Sequence, residues 1–175
     1  MFDNISEEYL NIDNVEKLQE FQCEDEIQVE NFLKEESYNL MERNLVRTRL
    51  FFDQDKNLIG FYSLFNDTIK MSKQKREQMD VSLPDKVKEI PAIRLHYLGV
   101  DSRFRKNYYG AFILTSALYH CARISEMSGC TLITVESTKK AKTFYEKFDF
   151  QYICPKVPYY NYALNTKYLA HLLDN

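Results

Sequence analysis

Apolar residues first recur at helical spacing over residues 26–43, where Val29, Phe32, Leu33 and Leu40 stand among acids, behind the acidic stretch CED. That period predicts an amphipathic helix. The runs VRTRLFFD and LIGFYSLF, separated by DQDKN, predict a β-hairpin. Residues 66–90 are polar, carry both charge signs and hold one Pro, so after a short strand continuation they predict an exposed arm or loop. AIRLHYLGV (92–100) is a nearly unbroken apolar run of strand length, as in a strand buried on both faces.

A charged loop, DSRFRKNYYG, leads into a helix beginning near Gly110, with Leu114, Ala117, Leu118, Cys121 and Ile124 as its apolar stripe and a stop at Ser128–Gly129. CTLITV (130–135) predicts another buried strand. Ser137 or Thr138 can cap a helix whose Ala141, Phe144, Tyr145 and Phe148 face the sheet. FQYIC and YNYALNTKYL predict two further strands. The order of elements gives a mixed α/β fold, a mostly antiparallel sheet flanked by helices with a local parallel strand–helix–strand unit.

No repeat, low-complexity tract or linker divides the 175 residues, so one domain over 1–175 is expected, with the exposed insertion near 66–90. No run approaches the roughly 18 apolar residues of a membrane span, and MFDNISEEYL lacks the features of a signal peptide. A cytoplasmic protein with no membrane partner is expected. Cys23, Cys121, Cys130 and Cys154 form no metal-ligand spacing and read as reduced thiols, with no metal expected and Cys121 in the core.

The net charge of −3 hides an asymmetry. Residues 1–40 hold 12 of the 26 acidic side chains and only Lys17 and Lys34 of the 23 basic ones. The remainder is therefore basic. Such a division can steer an anion to one part of a molecule, and it can equally be a solvated acidic helix.

Residues 92–125 carry the chemistry. A strand, a loop and then a helix N-terminus present unpaired backbone N–H groups, and the helix dipole favours bound phosphate there. Arg103, Arg105 and Lys106 add positive charge. Taken alone, this is an anion site or a solvated loop. LGVDSRFRKNYYGAFIL further resembles the acetyl-CoA-binding motif of the GNAT superfamily of N-acetyltransferases, where a strand ending in Val-Asp precedes Q/R-x-x-G-x-G/A and a helix. Arg105 fills the first motif position and Gly110 the last, while Tyr108 replaces the central glycine. TLITVESTKKAKTFYEKFDF resembles the family's later strand, Asn-x-x-Ala turn and FYEK-x-GF helix, with Thr138 in place of the Asn and Asp149 in place of the Gly.

The resemblance implies acetyl-CoA as co-substrate. It implies that the backbone of Tyr97, Leu98, Gly99 and Val100 pairs with the pantetheine arm. The pyrophosphate would rest against Arg105, Lys106, Asn107, Tyr108, Tyr109, Gly110 and Ala111, and Thr138 would stand where the family's turn residue meets the coenzyme. It implies Tyr145 as the acid that protonates the departing thiolate; from the helical stripe alone, Tyr145 reads as a core aromatic. No general base is evident, since His96 and Glu136 both read as structural.

The layout of VENFLKEESYNLMERNLVRTRLFFD, LIGFYSLF and the insertion also resembles the GNAT subgroup of aminoacyl-tRNA-acetylating toxins. The acidic first 40 residues oppose a wide nucleic-acid footprint. The leading expectation is therefore transfer of acetyl to a primary amine of an unidentified acceptor. Aminoacyl-tRNA comes second, and a non-catalytic acyl-CoA-binding module third. A homodimer is left open.

Overall fold

The computed structural model describes residues 2 and 4–174. Its strands are β1 (Ser6–Tyr9), β2 (Arg47–Phe52), β3 (Leu58–Ile69), β4 (Ile90–Val100), β5 (Leu132–Ser137), β6 (Gln151–Lys156) and β7 (Tyr159–Asn165). The α-helices are α1 (Ile27–Asn31), α2 (Ser37–Glu42), α3 (Lys73–Gln78), α4 (Tyr109–Ser128) and α5 (Lys142–Glu146). The sheet has seven strands in the order β1-β2-β3-β4-β5-β7-β6. Pairs β1/β2, β2/β3, β5/β7 and β6/β7 are antiparallel, and β4/β5 is parallel. The mixed, mostly antiparallel sheet read from the sequence is present. By contacts the chain forms two compact units, Met1–Phe65 with His96–Ala117, and Asn66–Leu95 with Leu118–Asn175.

In the first unit the core gathers Leu18, Phe21, Phe32, Leu33, Leu50, Leu58 and Phe61. Burying each such side chain stabilises the fold by about 1.5–3 kcal/mol. The helix expected over 26–43 is there, but a π-turn at Phe32–Glu36 separates α1 from α2. Phe32 is buried at this turn, and the buried Ser37 hydroxyl donates back to the Leu33 carbonyl at 2.6 Å. Left-handed Asn44 ends α2, and the Leu45 N–H closes on the Leu40 carbonyl in a Schellman-type stop. The β2/β3 hairpin is held by Asp53, whose Oδ1 accepts the N–H groups of Asp55 and Asn57 at 2.9 and 2.8 Å. β1 was not foreseen, because four residues reading SEEY carry no apolar alternation.

In the second unit Met79, Val81, Ile90, Ala92, Leu132, Ile153 and Ala163 form the core. The segment 66–90 is more ordered than its composition suggests. β3 runs on to Ile69, Ser72 caps α3 by accepting the Lys75 N–H, and the buried Asn165 amide donates to the carbonyls of Met79 and Asp80 at 3.0 and 3.1 Å. The arm is therefore pinned to β7 by hydrogen bonds and by Met79. YNYALNTKYL is only partly a strand. Asn165 ends β7 and caps a 3₁₀ segment, Thr166–Leu172, by accepting the Lys167 N–H.

Candidate active site

The end of β4 is set by a close backbone approach and a buried acid. A Cβ placed on Gly60 would lie 2.5 Å from the Gly99 carbonyl oxygen and 2.7 Å from Ile113 Cδ1, so β3 and β4 can meet here only through glycine. Gly99 is as confined, with Val29 and Phe61 carbons at 2.7 and 2.8 Å from a notional Cβ. Asp101, fully buried, follows directly. Its N–H donates to the Ile59 carbonyl, and its carboxylate accepts the N–H groups of Gln22 and Arg103 and two guanidinium bonds from Arg103. Burial alone would raise this carboxyl, but the Arg103 and backbone hydrogen bonds together hold it below its ordinary value. Asp101 thus fixes where the strand ends and the loop begins. The signal was an acid immediately after an apolar strand, and Gly60 was legible as a lone glycine inside LIGFYSLF.

From this anchor the chain turns through Ser102–Phe104 into α4. Lys106 and Tyr108 both take left-handed φ, 67° and 62°, on either side of Asn107. Such alternation curls a backbone so that successive N–H groups gather on one side. It delivers them beside the first turn of a 20-residue helix, whose own N–H groups lack intrahelical acceptors. Tyr108 stands in for a glycine, and it keeps the glycine conformation while its side chain stays 75% exposed. The backbone is therefore not blocked by its ring.

The Arg105 side chain is directed elsewhere. Nη1 lies 2.6 Å from Asp25, Nη2 donates to Cys23 Sγ at 3.1 Å, and Nε donates to the Val100 carbonyl at 3.4 Å. The Asp25 hydrogen bond raises the guanidinium's pKa further. The first unit thus brings together Tyr97–Val100 and Arg105–Ala111. It offers an anion mainly backbone N–H groups and the Lys106 charge.

Along β4, the pairing with β5 runs from Ala92↔Leu132 to Leu95↔Val135 and ends there, while β4 itself continues to Val100. Tyr97, Leu98 and Val100 are half-buried, and the Tyr97 ring stacks on Phe32 with centroids 4.3 Å apart. His96 lies among Phe32, Phe65 and Tyr97. These rings surround it as a packed aromatic neighbour.

The second unit holds Thr138 and Tyr145. Thr138 Oγ1 accepts the Ala141 N–H at 3.4 Å, shaping the turn before α5. Tyr145 lies on α5, its ring edge-on to Phe144 and Phe150 at 5.2 and 5.6 Å. Burial pushes its phenol well above the ordinary value, so it stays protonated across the whole working pH range. Among the described residues the hydroxyl takes no hydrogen-bond partner. Asp149, the second glycine replacement, is left-handed at φ 63°, and the Phe150 N–H reaches the Tyr145 carbonyl beyond it. Glu136 pairs with Arg94 and with Lys156 at 2.5 Å, and Arg94 also holds Asp67 at 2.8 Å. Burial would raise Glu136, yet its lysine and arginine partners keep it below the ordinary value. Its carboxylate is engaged in these ion pairs.

No family model matches the chain. It is 27% identical over 148 residues, covering 75% of this chain and 76% of the relative, to "Probable toxin TacT" of Sinorhizobium fredii (strain NBRC 101917 / NGR234). The fold matches the structure of AtaT complexed with acetyl-methionyl-tRNAfMet, at TM-score 0.81, 22% identity and 97% and 99% coverage of the two chains. It also matches a tyrosine-to-phenylalanine mutant of AtaT bound to the C-terminus of the antitoxin AtaR and acetyl-CoA, at TM-score 0.77, 19% identity and 99% and 100% coverage. The chain has the GNAT fold. The left-handed loop at α4 and the end of β4 beyond its pairing with β5 both fall in or beside residues 98–114, the first of the two segments that resemble the family's motifs. Among the described residues no helix is long and apolar enough to cross a membrane.

Proposed function

We propose that the protein is an acetyl-CoA-dependent N-acetyltransferase of the toxin type, and that its acceptor is the α-amine of an aminoacyl-tRNA. The observation that carries the coenzyme half is the loop from Lys106 to Tyr108, left-handed at both ends and opening directly onto α4. A backbone of this kind suits a pyrophosphate. Acetyl-CoA supplies the activated acyl group when bound. The amine attacks the thioester carbonyl, a C–N bond forms, and a backbone N–H of the Tyr97–Val100 segment stabilises the oxyanion. The C–S bond then breaks; the attacking nitrogen releases its proton to water, and Tyr145, kept protonated by burial, donates to the leaving sulfur and is reprotonated from solvent.

The acceptor half reverses the ranking drawn from composition, which favoured an unidentified, small amine over tRNA. That ranking rested on the acidic first 40 residues. Those acids belong to the first unit, which holds 9 basic and 16 acidic side chains, and several are paired internally, Asp25 to Arg105, Glu30 to Lys34 and Glu7 to Arg49. The second unit holds 14 basic against 10 acidic. That excess of basic side chains suits a polyanionic acceptor. Likeness to a probable TacT toxin and to AtaT with acetyl-methionyl-tRNAfMet supports the same acceptor class. An antitoxin partner and a cytoplasmic site of action belong to this reading. The non-catalytic alternative turns on Tyr108, and the glycine-like backbone there weighs against it.

The test is incubation with acetyl-CoA and a pool of charged tRNAs, followed by mass spectrometry of the released aminoacyl groups. Acetylated amino acids with stoichiometric coenzyme A support the proposal. Coenzyme A release with polyamines or small amines alone, and none with charged tRNA, overturns the acceptor assignment.

A further inference from the structure

β6 is the edge strand of the sheet, and its pairing with β7 builds a row of tyrosines in the second unit. Tyr152 lies opposite Tyr162, and Tyr160 lies two residues along from Tyr162 on the same face of β7. Ring centroids are 5.7 Å apart for Tyr152 and Tyr162 and 6.4 Å for Tyr152 and Tyr160. Tyr162 is buried and forms the floor, its hydroxyl held by Glu146 at 2.7 Å and its pKa pushed up to about 12 by burial and that carboxylate. Tyr152 is 41% exposed and Tyr160 half-buried, so two phenol rings reach the surface above the floor.

Lysines flank this row. Lys75 of α3 lies 5.8 Å from the Tyr152 centroid and donates to the Tyr152 carbonyl, and Lys142 of α5 lies 4.6 Å from the Tyr160 centroid. Among the described residues neither lysine forms an ion pair. The nearby carboxylates are already engaged, Glu146 by Tyr162 and Glu136 by Arg94 and Lys156. Exposed rings at an edge, with unneutralised cations beside them, suit one ligand chemistry above others. Unpaired nucleotides offer bases to stack and phosphates to pair, and stacking is indifferent to which base is presented.

We infer that Tyr152 and Tyr160, with Lys75 and Lys142, hold the unpaired 3′ end of an RNA. The inference rests on the aminoacyl-tRNA reading and deepens it by naming the surface that grips the nucleotides next to the aminoacyl group. It also gives the arm at 66–90 a role, since that arm carries Lys75 to the row. The lysine ammonium groups now resting near the rings would move to the phosphates as bases take their place.

The test uses two labelled RNA hairpins with the same stem, one blunt and one with an unpaired four-nucleotide 3′ tail, measured by fluorescence anisotropy. Wild type should prefer the tailed hairpin. Tyr152→Leu and Tyr160→Leu should each weaken tailed binding by about tenfold and leave blunt binding unchanged, whereas Tyr152→Phe keeps it. Lys75→Gln and Lys142→Gln should weaken both hairpins and lower the salt slope by about one each. Calorimetry with acetyl-CoA checks that each variant is folded.

If the leucine variants keep full tail preference, the site is wrong. If they alter sedimentation of the protein and not RNA binding, the row is a protein–protein surface and the inference also falls. A wild type that acetylates charged tRNA while the variants bind normally sinks this site and spares the acceptor assignment. A wild type that acetylates no charged tRNA but grips the tail through these tyrosines does the reverse.

Discussion

The guanidinium of Arg105 sits 2.6 Å from the carboxylate of Asp25, so the residue that matches the first position of the coenzyme motif is bound to an acid on its own unit. The two pull in opposite directions on an incoming phosphate. Arg105→Ala should weaken acetyl-CoA binding by only about twofold to threefold, because the guanidinium is held by Asp25 and acts on the phosphate through its field rather than through a direct contact. Asp25→Asn should leave affinity equal or tighter, because it frees the guanidinium. Calorimetry on both variants decides, and weaker binding in Asp25→Asn would mean that the pair positions the loop as a unit.

Asp101 gives a pH signature. Its folded pKa lies below the ordinary carboxylate value, so its stabilisation is fully present above the unfolded pKa, about 3.9, and disappears as pH falls through the lower folded value. Asp101→Asn should cost about 2–3 kcal/mol near neutrality, since hydrogen bonds to a buried charged group are lost. Urea unfolding from pH 7 down to pH 2 should show the gap between wild type and variant closing only on the acid side. A gap independent of pH would show that the carboxylate charge is not what holds the turn.

Tyr108→Gly should be tolerated and slightly stabilising, by about 0.5 kcal/mol. The left-handed conformation disfavours a side chain by roughly 1–2 kcal/mol, and the extra freedom of glycine in the unfolded chain offsets about 0.4–1 kcal/mol of that. Acetyl-CoA affinity should hold or rise. Tyr108→Val, β-branched in the same conformation, should lower both the melting temperature and coenzyme affinity. Equal behaviour of the two variants would remove the loop conformation from the explanation of binding.

The sequence carried α1, α2, α4 and α5, the hairpin and the parallel unit because each has a strong local period, and the family resemblance because its residues have a fixed spacing. Both glycine replacements were visible as departures, but the letters Tyr108 and Asp149 could not say that the backbone stays left-handed at each. The engagement of Arg105 was hidden because Asp25 lies eighty positions away, and pairing at that distance leaves no local pattern. The arm at 66–90 reads as loop because its order comes from Asn165 and Met79, through contacts rather than through its own period. The tyrosine row was missed for a similar reason: Tyr152 and Tyr160 meet only through strand register.

Tyr145→Phe separates packing from chemistry. The ring is kept and the deleted hydroxyl has no hydrogen-bond partner among the described residues, so the melting temperature should change little. Turnover should fall by roughly 10²-fold or more, as for a lost general acid, with acetyl-CoA affinity nearly unchanged. The raised phenol pKa also predicts no alkaline fall in rate from this residue up to at least its ordinary titration range, near 10. Turnover within a few fold of wild type, with chemistry rate-limiting, would return Tyr145 to the core.

The reaction proposed for this protein moves acetyl from acetyl-CoA to an amino acid esterified to tRNA. The most direct measurement follows radiolabelled acetyl from the coenzyme into charged and uncharged preparations of the same tRNA pool, with wild type and Tyr145→Phe side by side. Label should appear on the charged pool only, released as an N-acetyl amino acid on mild alkaline deacylation, at a rate that drops by roughly 10²-fold in the variant. Label absent from charged tRNA, or equal on the uncharged pool, would exclude aminoacyl-tRNA as the acceptor.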